Sequence, residues 1–226
     1  MQTSPVETEG RFLATAEKGE VCFVLVEPPE ATWCLVLGHG ASSHFRHRTV
    51  ASIASALAGV GIASFRYNFP YSERGGGRNS NEVCIATTRS AVEAAHTATP
   101  RVSLLAGGHS FSGRMTSLGS AKTPLPNVRG LVFYAFPLHP AGKPGTERAE
   151  HLADVEHPML FLSGSRDALA ELELLKPVCS NLGDRATLHL LDTADHSFKI
   201  LKRSRQTTED VYDEMARTVL QWVKML

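Results

Sequence analysis

Three residues, each placed just after an apolar run, could together perform nucleophilic acyl chemistry: Ser110, Asp167 and His196. Ser110 lies in Gly107-Gly108-His109-Ser110-Phe111-Ser112-Gly113-Arg114, between the apolar stretch 102–106 and a segment carrying Met115 and Leu118 at helical spacing. A sharp strand-to-helix turn displays a serine hydroxyl at a helix N-terminus. Such a turn demands small residues two positions either side of the serine, because the backbone is crowded there. Gly108 meets the first requirement, and Ser112 is the next-smallest substitute for glycine at the second. By itself the segment reads equally as a loop in which Ser110 or Ser112 caps a helix.

The rest of the chain bears on that choice. An attacking serine needs a base to take its proton and a carboxylate to orient the base, arriving here in the order Ser, Asp, His. Asp167 follows the strand-like "MLFLSGSR", where its plainer role is an N-cap for a helix at 169–182. His196 follows "ATLHLLDTAD", where Asp195 competes as the acid. An oxyanion intermediate requires two backbone N–H donors. Phe111, next to the serine, supplies one, and Ala41 in "LGHGAS" (37–42) is the expected second, with Gly40 permitting close approach. Candidate pocket residues are His39, Tyr71, His109, Leu138 and His139; Arg66, Tyr67, Asn68, Glu73 and Phe136 are alternatives whose plainer role is packing.

These residues are positioned by alternating elements. "RFLATA" (11–16) and "VCFVLVEP" (21–28) predict an antiparallel hairpin. Buried-strand patterns then begin at 32, 62, 101, 129, 158 and 186, separated by helical patterns at 48–61, 81–97, 111–121 and 169–183, with a last helix from about 209 to 226. The expected fold is α/β: a mostly parallel, doubly wound sheet with an N-terminal antiparallel hairpin, no large cap domain, and one domain spanning 1–226. Ligands of such sheets bind beyond the carboxyl ends of the strands, where each candidate above falls.

Composition narrows the partners. The chain has 226 residues, with 23 Lys+Arg against 23 Asp+Glu, so no net field favours nucleic acid or an anionic membrane. No run is long and apolar enough for a membrane span, and the first residues lack a signal-peptide pattern; the expected location is cytoplasmic. Cys22, Cys34, Cys84 and Cys179 form no C-x-x-C pair. His39, His44 and His47 are close in sequence but lack a carboxylate-supported metal pattern, and Gly75–Gly77 is not followed by the G-K-[ST] of a phosphate loop. The expectation is a small-molecule ester substrate with no metal and no cofactor, and oligomeric state is left open.

The chain resembles the α/β-hydrolases, in particular the dienelactone-hydrolase-like group, over nearly its whole length. The carrying stretches are "LGHGAS", "FRYNFPY" (65–71), "AGGHSFSGRM" (106–115), "FPLHPAGKPG" (136–145), "GSRDAL" (164–169) and "ADHSF" (194–198). The resemblance implies a Ser-His-Asp hydrolase without a large cap. It departs twice: Ser110 stands where dienelactone hydrolases use cysteine, and Ser112 stands where glycine is expected. The expected activity is a carboxylesterase working through an acyl-enzyme. The alternatives are acyl transfer or peptide cleavage on the same triad, or a non-catalytic binding protein that keeps the fold.

Overall fold

The computed structural model describes residues 4–226. The chain opens with the antiparallel pair β1 (Val6–Thr15) and β2 (Gly19–Glu27). Then follow β3 (Trp33–Gly38), α1 (Arg48–Gly59), β4 (Ile62–Tyr67), α2 (Pro70–Arg74), α3 (Asn81–Ala98), β5 (Ser103–His109), α4 (Phe111–Lys122), β6 (Val128–Tyr134), β7 (Met159–Gly164), α5 (Leu172–Asn181), β8 (Ala186–Leu191) and α6 (Val211–Trp222). One eight-stranded sheet results, ordered β1-β2-β4-β3-β5-β6-β7-β8, antiparallel at β1/β2 and β2/β4 and parallel from β4 onward. This is the doubly wound α/β-hydrolase architecture expected from the sequence, hairpin included.

The parallel strands are apolar along their length because both faces are covered. In β3, Cys34 and Val36 enter the core layer shared with α3, α4 and α5, whereas Leu35 and Leu37 enter the layer shared with α1 and α6. Fully burying a side chain such as Leu37 contributes about 1.5–3 kcal/mol. Val211, Met215, Val219 and Trp222, spaced by one helical turn, turn one stripe of α6 onto the sheet. The Asp210 carboxylate accepts the Tyr212 N–H to start that helix.

Three local features differ from expectation. The segment after β4 contains α2, with Pro70 at its first turn, before Gly75 and Gly76 take positive φ; five residues are too few for hydrophobic periodicity to reveal a helix. Residues 147–154, where the sequence pattern marks no element, form a 3-10 helix. The helix expected from 169 begins at Leu172, so Asp167 is not its N-cap; residues 167–170 form a turn instead.

The winding creates the crevice. From β3 the chain crosses by α1 to β4 on one side, then returns past β3 to β5 and continues by α4 to β6 on the other. The loops leaving β3 and β5 therefore diverge from adjacent strands, whose ends Gly38 and Gly108 are register partners. A doubly wound sheet is open to ligands at such a switch point.

Candidate active site

Ser110 begins α4 with φ 53° and ψ −108°, a conformation that L-residues adopt rarely. It costs on the order of 1–3 kcal/mol and persists only where neighbours enforce it. Here the Ser110 N–H donates to the Tyr134 carbonyl (2.8 Å), and the Ser110 carbonyl accepts the Arg114 N–H (3.2 Å). The turn leaves Ser110 partly exposed at the end of β5.

His196 reaches the serine hydroxyl. Its Nε2 lies 2.9 Å from Ser110 Oγ, and its Nδ1 lies 2.9 Å and 3.0 Å from the two carboxylate oxygens of Asp167. The Asp167 side chain is fully buried, while that of His196 is 23% exposed. A carboxylate has no proton to give, so Nδ1 carries the hydrogen and Nε2 is free to accept the serine proton. Asp195, the competing acid, faces elsewhere: its Oδ1 accepts the N–H groups of Ser197 and Lys199 and shapes the His196 loop.

The acid and base loops are stitched together by their backbones. The Ser165 N–H donates to the Leu191 carbonyl, the Arg166 N–H to that of Ala194, and Ser165 Oγ accepts the Thr193 N–H. A Cβ on Gly164 would stand 2.3 Å from the Ala194 carbonyl oxygen, so only glycine allows this approach. The "GSRDAL" stretch (164–169) carries the family resemblance, yet nothing local in it assigns this role to Gly164 or Ser165. Asp167 is held further by accepting the Leu169 N–H at 2.8 Å.

Of the expected pocket residues, four are corrected. His39, Leu138 and His139 have no exposed surface and cannot form a pocket wall. His39 donates from Nδ1 to the Gly40 carbonyl (2.8 Å) and accepts the Phe69 N–H at Nε2 (3.3 Å), lacing the loop after β3 to the turn after β4. The Leu138 and His139 N–H groups both donate to the Leu169 carbonyl, bracing the turn that holds Asp167. Tyr71 is buried as well, stacked on Phe69 and edge-on to Phe111 behind the crevice. His109, partly exposed, lies under the base: its Nε2 donates to the His196 carbonyl (3.1 Å). Among the alternatives, Arg66, Tyr67, Asn68 and Phe136 are buried, and Glu73 accepts from Asn68 and from the Cys22 N–H, tying α2 to the hairpin. His44 and His47 are turned to their own backbone, accepting the N–H groups of Arg46 and Thr49.

The residues expected to supply the oxyanion donors lie on the connections that leave the adjoining strands β5 and β3. Phe111 is the first residue of α4, whose amide has no partner within its helix. Ala41 follows Gly40, where an added Cβ would come 3.2 Å from His109 Nδ1, so the loop passes close to the elbow.

Ser112 turns inward rather than toward substrate. Its side chain has no exposed surface, and its Oγ donates to the His109 carbonyl at 3.1 Å. The space it fills is made by two other glycines: a Cβ on Gly38 would stand 2.4 Å from Ser112 Cβ, and one on Gly108 would stand 2.2 Å from Ser112 Oγ. Ser112→Gly is therefore expected to cost about 1–2 kcal/mol through a lost hydrogen bond and a helical glycine, with the substrate range unchanged. Urea denaturation and a profile over ester chain lengths check this; a shifted profile would place Ser112 in the pocket after all.

Burial holds His39 and His109 neutral, pushing each down to about 4. Their folded values lie below the unfolded value near 6.5, so the unfolded chain takes up protons first as pH falls. The stability contributed is complete above about 6.5 and is lost progressively towards about pH 4. At about 1.4 kcal/mol per pH unit, moving from pH 7 to pH 5 removes about 2 kcal/mol for each histidine. Urea midpoints at the two pH values measure this, and equal midpoints would show that neither ring is held neutral by the fold.

Comparison with known proteins gives a consistent family. A family model described as alpha/beta hydrolase domain matches residues 31–224. Among solved structures, a dienelactone hydrolase from Anabaena variabilis superposes with a TM-score of 0.77 at 16% identity, covering 99% of both chains. A serine hydrolase without a lid from Xanthomonas campestris gives 0.70 at 17% identity, covering 100% of this chain and 96% of the other. The esterase domain of a Rhodothermus marinus protein gives 0.71 at 14% identity, covering 97% and 98%. At these identities the likeness is one of fold.

Proposed function

The chain belongs to the alpha/beta hydrolase domain family, and from that premise we propose that it is a serine hydrolase, a carboxylesterase acting on small or accessible esters. The observation that carries this reading is the continuous chain of contacts from Ser110 Oγ through His196 to Asp167. In the cycle, His196 Nε2 takes the hydroxyl proton as Ser110 Oγ bonds to the carbonyl carbon, and the Phe111 and Ala41 amides receive the charge on the carbonyl oxygen. The tetrahedral adduct collapses, the ester C–O bond breaks, and the leaving alkoxide takes the proton from His196. Water then repeats the sequence on the acyl-serine, releasing the acid and restoring the hydroxyl. Side chains and backbone amides handle each proton and charge, so this cycle calls for no cofactor.

Ser110 is partly exposed in the single-residue connection between β5 and α4, an accessible position that favours compact acyl groups. The four cysteines are free, with Cys34, Cys84 and Cys179 buried, which suits a reducing compartment such as the cytoplasm. Among the described residues no helix is long and apolar enough to cross a membrane. Both core layers share one sheet, in keeping with a single domain over 1–226.

A fluorophosphonate probe together with p-nitrophenyl esters of short to medium acyl chains tests the assignment. Labelling at Ser110 with turnover of the shorter esters is the expected result. Labelling with turnover of amides alone would make the protein a peptidase, and absence of both labelling and turnover would leave a binding protein on a hydrolase fold.

A further inference from the structure

The stretch 66–72, running from the end of β4 into α2, supplies no group to the catalytic cycle, yet it pins the loop that carries the Ala41 amide on both sides. Ala41 lies inside a turn closed by the Ser43 N–H donating to the Gly40 carbonyl (3.2 Å). Ahead of that turn, His39 Nε2 accepts the Phe69 N–H at 3.3 Å. At its far end, Ser72 Oγ donates to the Ser43 carbonyl at 2.7 Å. Two residues on, both backbone groups of Phe45 are held by side chains: its N–H donates to Asn68 Oδ1 (3.0 Å), and its carbonyl accepts from Arg66 Nη1 (3.2 Å).

Asn68 joins this loop to the hairpin. It is 5% exposed, too buried to meet a substrate. Its Nδ2 donates to Glu73 Oε2 at 2.7 Å, and Glu73 also accepts from the N–H and thiol of Cys22 and from Arg11. Burial opposes charge on Glu73, but the hydrogen bonds from Cys22 and Asn68 and the nearby Arg11 hold it below the usual carboxylate range. An ionised carboxylate only accepts, so Glu73 fixes the Asn68 amide with its nitrogen towards Glu73 and its oxygen towards Phe45. A donor aimed at charge that develops only in the transition state is most effective when it need not reorganise.

We propose that Asn68 is a positioning residue for the reaction: through Phe45 it sets the loop that presents the Ala41 amide, and so raises kcat rather than affinity for the ester. This rests on the serine-hydrolase assignment and on Ala41 as an oxyanion donor.

The test measures kcat and KM on p-nitrophenyl butyrate. Asn68→Ala is expected to lower kcat by about 10- to 100-fold with KM changed less than about twofold, because a misplaced oxyanion donor weakens the transition state and not the bound ester. Two further variants separate positioning from folding. In Asn68→Asp the new carboxyl group faces Glu73, and the two share a proton. Its kcat relative to wild type falls as pH is raised from about 6 to about 9, because loss of the shared proton drives the pair apart. In Asn68→Asp/Glu73→Gln the acid and the amide have exchanged places, and a donor again faces an acceptor. The relative kcat then returns to within about threefold of wild type and no longer varies with pH. Folded Asn68→Ala with kcat within about twofold of wild type would overturn the proposal. An Asn68→Asp loss that is independent of pH and equal in the exchanged pair would overturn it too, and decides the matter if Asn68→Ala does not fold. Should the wild type turn over no ester, the esterase assignment fails, and hydrogen exchange over 39–47 decides about the clamp. Faster exchange there in Asn68→Ala, with β4 unchanged, supports it, and unchanged exchange refutes it.

Discussion

Ser110→Ala is expected to lower kcat/KM for short esters by at least about 10⁴-fold, and by as much as about 10⁶-fold, because removing the nucleophile leaves only binding and oxyanion contacts. Stability should change by less than about 0.5 kcal/mol. The alanine inherits the same positive φ, and the backbone bonds to Tyr134 and Arg114 that enforce it do not involve the hydroxyl. Loss of activity with an unchanged urea midpoint thus separates chemistry from folding. Asp167→Asn is the companion change, expected to cost about 10⁴-fold. An amide nitrogen facing Nδ1 favours the tautomer with hydrogen on Nε2, and that ring cannot accept the serine proton. Residual activity within about tenfold of wild type in Ser110→Ala would dismiss this serine as the nucleophile.

The largest effect on stability is expected at Gly107. A Cβ there would stand 1.9 Å from the Val132 carbonyl oxygen and 2.8 Å from its carbonyl carbon. Those atoms belong to the backbone of β6, which is paired in register with β5 at this very position, so no rotamer change can relieve the overlap. The φ of +158° adds to the strain. Gly107→Ala should therefore cost about 3–5 kcal/mol, at the upper end for a single methyl, and displace the elbow with the strand end that carries it. Gly59→Ala serves as the opposite control: Gly59 ends α1 with nothing within 4 Å of an added Cβ, so alanine should raise stability by about 0.5–1 kcal/mol. Urea titration of both variants reads the contrast directly, and a Gly107→Ala protein as stable as wild type would contradict the packing described at the β5/β6 junction.

The sheet, its hairpin and the order of its helices were legible because those features are written in local patterns. Continuous apolar runs report burial on both faces, and a four-residue stripe such as that of α6 reports burial on one. Ser110, Asp167 and His196 stood out for a related reason, each being a reactive residue immediately after such a run. α2 left no periodic trace because it completes little more than one turn, and Asp167 was open to a capping role because a turn and a first helical turn share the same residue preferences.

Side-chain direction beyond a strand end is not a local property, and there sequence and structure part. His39 follows β3 and His109 ends β5, yet His39 is sealed under Phe69 while His109 supports the backbone of His196, a difference set by what packs over each ring. Leu138 and His139 read as pocket walls in the sequence, but the turn at 167–170 covers them. The place of Ser112 depends on Gly38, far earlier in the chain, which leaves room for it on the adjoining strand. Sequence alone determined the fold and proposed the reactive residues, since both follow from short-range periodicity and turn chemistry. Tertiary structure decided which polar groups meet and which are sealed away, because those outcomes depend on contacts between segments far apart in the chain.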